Sequence, residues 1–582
     1  MSNLEKVGII NRTGIKYPTS RDVYRPHVWY PEYKLGDISH EPNEVYDMVR
    51  ECLILYGLDK EKFGTKDWNP FSDIIKEGNT VLIKPNLVMH KNPNGCGEDC
   101  LYTHPSVVAA VVDYVIIALK GTGKIIIGDA PVQECNFESL IYDSGYDSLI
   151  RYYKNKKINI ELKDFRNVKT YVEDGVRYNQ ETERNDGVIV SLNENSAFDN
   201  LDDEEIGRLR ITNYDPRILQ SHHYKHHHEY KISQDVLDAD VIINMPKPKT
   251  HRKAGVTIAL KNMVGINANK EYLPHHSLGS REEGGDAYEK KNYYLTKAND
   301  ILDLKNELVH NGDQDLAEEA EKLYEMLYKE GILRTPEKYW EGSWHGNDTI
   351  WRMIQDINQI VMYADKQGNI MNDKQRKVFI VADMVVSGQK EGPLEPVPNY
   401  SGIIAVGNNP LIFDRVICSI MGFDYKKIPS LNKVRIDNWI TDNKYTIISN
   451  NLEWNNKICE EIDEGQVLEF QATSGWVDKL GNKYIDRLVK EVLNKKVFIF
   501  GAGINGKYAY SVLKRNQVEV CGFFDNNKSL WGKEIQPGII CYNPHNIKSG
   551  TAIIGGIRDA LVEEIKDEVC MLGGEYYGTI TY

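Results

Sequence analysis

Short runs of β-branched and other apolar residues recur along the chain, and each ends in polar positions: 80–84 (TVLIK), 124–127 (KIII), 240–244 (DVIIN), 378–382 (VFIVA) and 402–406 (GIIAV). Their length and composition predict strands, and the longer stretches between them space apolar residues three and four apart, which predicts helices. This alternation predicts an α/β fold built on a large, mostly parallel sheet with helical crossovers. In such sheets ligands collect beyond the carboxyl ends of the strands. The residues that follow each run are therefore the first candidates for a shared site: Lys84 and Asn86, Gly128 and Asp129, Lys247, Lys249 and His251, Asp383, and Asn408.

The apolar run at 107–119 is interrupted by Asp113 and is shorter than the roughly 20 residues a membrane span needs, so it predicts a buried helix. Between 286 and 340 the chain turns charged and helix-forming, which predicts a helical insertion or lid. A polar stretch over 451–494 reads as a linker between a region at 1–450 and a fresh start at 495. The opening MSNLEKVGII lacks the basic, apolar and small-residue segments of an export signal, so a cytoplasmic location is expected.

Residues 495–582 begin KKVFIFGAGINGKYAYSVLKRNQVEVCGFFDNN, which reads as a strand, a Gly501-x-Gly503-x-x-Gly506 turn, a helix and a second strand ending at Asp525. A glycine turn of this kind lets backbone N–H groups approach a phosphate at a helix start, and the acid at the next strand end can meet a ribose hydroxyl. Only one further strand is visible, in TAIIGG, so a small Rossmann-like half domain is expected. The region resembles the small Rossmann-type domains fused to sugar-modifying enzymes. That likeness implies a nucleotide or nucleotide-sugar held by Gly501, Gly503, Gly506 and Asp525.

Composition narrows the partners. The net charge of -14 argues against a nucleic-acid or anionic-membrane footprint, and 582 residues at 41% hydrophobic allow more than one core. The nine cysteines follow no disulfide or metal spacing; Cys96 and Cys100 lie close but read as ordinary loop thiols. Against this acidic background, the stretch 244–276 stands out by gathering Lys247, Lys249, His251, Lys261, Lys270, His275 and His276. Such a cluster can bind a small anion, supply a histidine base, or offer a lysine for covalent work. Apolar residues flank Lys261 on both sides, which predicts enclosure. The nearby His222, His223, His226, His227 and His228 could bind a metal, since imidazole suits zinc, nickel or iron, but adjacent histidines cannot all face one ion, so a polar loop is the first expectation. His104 precedes a Pro105 helix start that favours an anion, with Thr103 expected as its cap.

The pieces VLIKPNLV, THPSVV, IIGDAP, DADVIINMPKPKTHRKAGVTIALKNMVG, VADMVVSGQKEGP and NPLIFDRVICSIMGFD, in this order, resemble the family called domain of unknown function 362 over about residues 6–431. Many members carry a ferredoxin-like cysteine cluster. No C-x-x-C-x-x-C run exists here, so an iron–sulfur cofactor is not carried over. HRKAGVTIALKNMVGI is also similar to the lactate racemase family, which joins a nickel pincer cofactor to a lysine. His251, Lys261 and Gly265 match that spacing, although the glycine pair before the family's lysine is absent.

These readings predict an intracellular enzyme of surface-glycan or specialised biosynthesis that acts on a small anionic substrate, with the tail presenting a nucleotide or nucleotide-sugar. His251, Lys261, His276 and Asp383 are the expected catalytic residues. Lys84, Asn86, His104, Asp129, Lys247, Lys249 and Asn262 are the expected substrate contacts, and no metal ligand is named. Two other functions stay open: a metal-dependent epimerase, racemase or redox enzyme using His251 and Lys261, and a non-catalytic nucleotide or metabolite sensor.

Overall fold

The structure is a computed structural model that describes residues 4–19, 24–173, 176–184, 186–334, 341–436 and 445–581. Eight strands form its principal sheet: β1 (Glu5–Asn11), β2 (Thr80–Pro85), β3 (Lys124–Asp129), β4 (Ile160–Asp164), β5 (Val241–Met245), β6 (Lys377–Met384), β7 (Ile403–Gly407) and β8 (Tyr445–Ser449). Their order is β8-β1-β7-β6-β5-β2-β3-β4. The five expected strands all form, with ends within two residues of the sequence reading.

Side chains alternate between two faces, and both are covered. In β5, Ile242 packs with the helices Ile350–Tyr363 and Pro410–Ile420, whereas Val241, Ile243 and Met245 pack with Glu44–Tyr56 and Pro105–Leu119. Burial on both faces explains the near-continuous apolar runs. The helix Pro105–Leu119 is buried along nearly its whole length. No helix among the described residues is long and apolar enough to cross a membrane.

The sheet is parallel except at β7, which pairs antiparallel with both β1 and β6. This corrects one expectation. The carboxyl end of β7 lies at the opposite edge, so Asn408 is exposed away from the other strand ends.

The expected insertion contains the helices Tyr293–Asn311 and Gln314–Leu333, which pack against each other across a turn at Gly312. Residues 335–340 of that expectation lie outside the described residues. The pair props two distant segments: Asp303 meets Arg210 at 3.0 Å and Asn306 Nδ2 donates to Thr212 O at 3.3 Å. Tyr324 donates to Glu341 Oε1 at 3.1 Å.

The stretch read as a linker packs into both cores instead. Trp454, Phe470 and Trp476 join the larger core, while Leu488 and Val492 of the helix Lys483–Val492 join the smaller. Polar residues between these anchors hid them from composition.

The smaller sheet contains β9 (Lys496–Phe500), β10 (Glu519–Phe524), β11 (Glu534–Gln536), β12 (Ile539–Tyr542), β13 (Ala552–Gly555) and β14 (Glu575–Thr579), in the order β11-β12-β10-β9-β13-β14. All its pairings are parallel except β11 with β12. Strands therefore flank β9 on both sides, more than the half sheet expected. β12 and β14 escaped because each is short and only partly buried.

Trp476 is fully buried, and its indole Nε1 donates to Arg252 O at 2.8 Å. Trp476→Ala is expected to lower unfolding free energy by about 3–5 kcal/mol, measured by urea denaturation. A change of less than about 1 kcal/mol would show that 451–480 is not part of the core.

Candidate functional site

The carboxyl ends of β2, β3 and β5 border a cavity of about 360 Å³. Asn86, Asp129, Lys249, His251, Lys261 and Asn262 line it, together with Gly265, Lys270 and His275 from the same lysine- and histidine-rich stretch. Thr212, Asn213, Lys253, Glu341, Pro393 and Leu394 complete much of the wall.

At its base the Lys84 ammonium meets Asp129 Oδ1 at 2.8 Å, with Lys84 fully buried. Asp129 Oδ2 accepts the Leu87 amide at 2.6 Å and Oδ1 accepts the Ala130 amide at 2.8 Å. Lys84 also donates to Pro85 O at 2.7 Å. Gly265 lies directly against this pair: a Cβ there would overlap Asp129 Oδ1 and stand 2.9 Å from Lys84 Nζ. Beside it Asn86 Nδ2 donates to Asn262 Oδ1 at 3.1 Å, and Asn262 Nδ2 to Asn244 Oδ1 at 2.7 Å.

Lys261 sits on the short helix Ala259–Asn262. Asp414 holds the start of that helix, accepting the Ala259 and Leu260 amides at 2.8 and 2.9 Å. Burial pushes the Asp414 carboxyl up to about 8. Burial, reinforced by the ammonium groups of Lys84 and Lys253, brings Lys261 down to about 8. Burial likewise lowers Lys249 and Lys270 to about 7, and Lys253 below its ordinary value.

None of these four lysines has a carboxylate within ion-pair distance among the described residues. Lys249 donates to Leu101 O, Lys253 to Glu341 O, and Lys270 to Ala130 O at 2.9 Å. Arg252 differs, being paired with Glu391 at 3.0 Å and with Glu395.

His251 Nδ1 accepts the amides of Lys253 and Ala254, both at 3.1 Å, so the neutral ring carries its proton on Nε2. Burial and then the Lys261 charge hold it well below the ordinary histidine value. His275 is lowered by burial to about 3. Two buried polar atoms of the wall, Asn86 Oδ1 and Thr257 Oγ1, have no hydrogen-bond partner among the described residues.

Family comparison decides membership, since a single family model matches residues 81–193 and 193–419. The chain belongs to the family described as domain of unknown function (DUF362). Every cavity-lining residue falls inside the DUF362 span. Residues 493–573 match a second model, described as C2185-like, N-terminal. A thylakoid-associated protein of Synechocystis sp. is 26% identical over 198 residues, covering 34% of this chain. The chain spans 42% of that relative's length.

Three of the expected site residues, Lys247, Asp383 and His104, join Tyr17 in a second, closed cluster. Lys247 Nζ binds Asp383 Oδ2 at 2.8 Å and Tyr17 OH at 2.6 Å, and Tyr17 donates to Asp383 Oδ1 at 2.6 Å. The His104 ring stacks on Tyr17 at 3.9 Å. None of these four lines the cavity. His104, not Thr103, caps the helix Pro105–Leu119, because Thr103 Oγ1 is engaged by Met245 O at 2.8 Å. The anion expected at that helix start is the protein's own Asp383, which accepts the His104 amide at 2.8 Å. His276 also lies outside the cavity, 3.5 Å from Lys253 Nζ.

The clustered histidines are tied down by carboxylates and backbone. His222 meets Glu229 at 2.9 Å, His226 meets Asp199 at 3.0 Å, and His223 Nε2 meets Tyr272 O at 2.9 Å. No three His, Cys, Asp or Glu side chains among the described residues come together as a metal site. Cys96 and Cys100 are free thiols.

In the C-terminal module Gly501 adopts φ 103°, and a Cβ on Gly506 would overlap Gly501 O. The helix Ile504–Arg515 starts at Gly503 without a side-chain cap. Asp525 Oδ2 accepts the Ala502 amide at 2.8 Å and so braces the glycine turn.

Sequence reasoning passed over Lys253, Thr212 and Glu341. Lys253 stood inside the quoted motif and shared its basic signal, whereas Thr212 and Glu341 belong to loops without periodicity. Two outcomes are expected. Gly265→Ala should destabilise the protein by about 1–3 kcal/mol in denaturant titration, since Lys84 and Asp129 must shift together; unchanged stability would contradict the packing. In wild-type protein, acetylation of Lys261 read by peptide mapping should rise through about pH 8, ahead of surface lysines that titrate above about pH 10. A surface-like profile would contradict its enclosure.

Proposed function

We propose that this DUF362 protein is an enzyme that holds a small anionic substrate in the cavity, with Lys261 as its chemical centre. The observation that carries this reading is the set of four lysines bordering one cavity with no carboxylate in ion-pair range among the described residues. Buried ammonium groups are costly unless an opposite charge compensates them, and a bound carboxylate or phosphate would do so. A space of about 360 Å³ suits a metabolite.

The roles then separate. Lys249, Lys253 and Lys270 hold the anion, each oriented by the carbonyl it already contacts. Lys261 faces the reacting centre, and His251 offers its Nε2 proton to a substrate oxygen. Lys84 acts through Asp129, His276 through Lys253, while Lys247, Asp383 and His104 brace the sheet end beneath. The expected clamp role of Lys84 and Lys247 thus passes to Lys253 and Lys270.

The C-terminal module is proposed as a Rossmann-type unit for a nucleotide or nucleotide-sugar. The positive φ of Gly501, the close approach of Gly506 and the uncapped start of the helix Ile504–Arg515 support this reading.

Thermal denaturation at constant ionic strength, with a panel of carboxylate and phosphate metabolites, tests the cavity. At least one should raise the melting temperature, and Lys253→Gln and Lys270→Gln should each weaken its binding at least about tenfold. Equal stabilisation of wild type and both variants would remove the assignment.

A further inference from the structure

Among the described residues, Lys261 is the one cation lining the cavity to which no partner is assigned. Lys249, Lys253 and Lys270 each donate to a backbone carbonyl, and Arg252 lies between Glu391 and Glu395. The Lys261 amine has no hydrogen-bond or ion-pair partner among the described residues. Its stem is nevertheless fixed. Asp414 ties the amides of Ala259 and Leu260, Asn358 Nδ2 donates to Leu260 O at 3.0 Å, and Asn262 is locked to Asn86 and Asn244.

A rigid stem that presents an uncommitted amine, ringed by tethered ammonium groups, suits attack on an electrophile delivered by an anion. We propose that Lys261 is a nucleophile that forms an imine with the carbonyl carbon of a small anionic aldehyde or 2-oxo acid. The inference rests on the reading of the cavity as an anion site and names its substrate class.

The step balances without a further reagent. The Lys261 nitrogen bonds to the carbonyl carbon, the carbon–oxygen double bond is lost, and the oxygen leaves as water with the two amine protons. The lysines at 249, 253 and 270 hold the charged end. The Nε2 proton of His251 can hydrogen-bond to the carbonyl oxygen as it departs. Burial among like charges keeps part of the amine neutral near pH 7, the form that attacks.

Reductive trapping of the full-length protein tests the proposal. With glyoxylate or pyruvate and cyanoborohydride, intact mass should rise by the probe mass less one oxygen atom, and peptide mapping should place the adduct on Lys261. Lys261→Arg should lose it, and acetone, which has no charge, should label Lys261 at least about tenfold less. Labelling confined to surface lysines, with anion binding to the cavity intact, would overturn the imine and leave the anion site standing. Loss of both labelling and anion binding in wild-type protein would overturn both.

Discussion

The buried Lys84–Asp129 pair is the contact on which the rest of the site depends. It joins the carboxyl ends of two adjacent parallel strands and leaves almost no polar atom idle, with Asp129 taking two backbone amides and Lys84 giving to Pro85 O. Removing one partner of such a pair typically costs about 3–5 kcal/mol, because the other charge is left buried and alone. The pair also fixes the turn that carries Gly265, and through it the helix bearing Lys261.

Around this neutralised base the protein places charge it does not neutralise. Of the acids near the cavity, Glu391 and Glu395 are engaged by Arg252 and Glu341 by Tyr324. Lys249, Lys253 and Lys270 each donate to a carbonyl oxygen, which orients an ammonium without cancelling its charge. The loop that contributes Pro393 and Leu394 also carries Lys390, whose ammonium reaches Asp559 and Thr581 of the C-terminal module. Thr250 Oγ1 donates to Lys390 O at 2.7 Å, so one loop touches the cavity strand and the second module together.

Much of this was legible in the sequence because parallel strands write themselves as apolar runs with polar ends. β2, β3, β5 and β6 were readable for that reason, and the polar residues after them led to Asn86, Asp129, Lys249 and His251. Direction was not legible: β7 has the same apolar pattern as its neighbours, so Asn408 was placed at the wrong edge. Nor does composition tell a lysine that faces a cavity from one that faces a buried carboxylate. Lys247 and Lys249 are two residues apart, yet one closes on Asp383 and the other borders the cavity. Glu341 and Thr212 were invisible because the helical insertion, and not local pattern, brings them to the wall.

The central claim is that the cavity's unpaired lysines await an anion, and proton-linked calorimetry addresses it most directly. An anion titrated at pH 8 in buffers of different ionisation enthalpy should bind with net proton uptake, because it raises lysines that burial holds near 7 and 8. The uptake should vanish at pH 6, where those groups are already charged. Binding heats at pH 8 that are the same in every buffer would contradict the account.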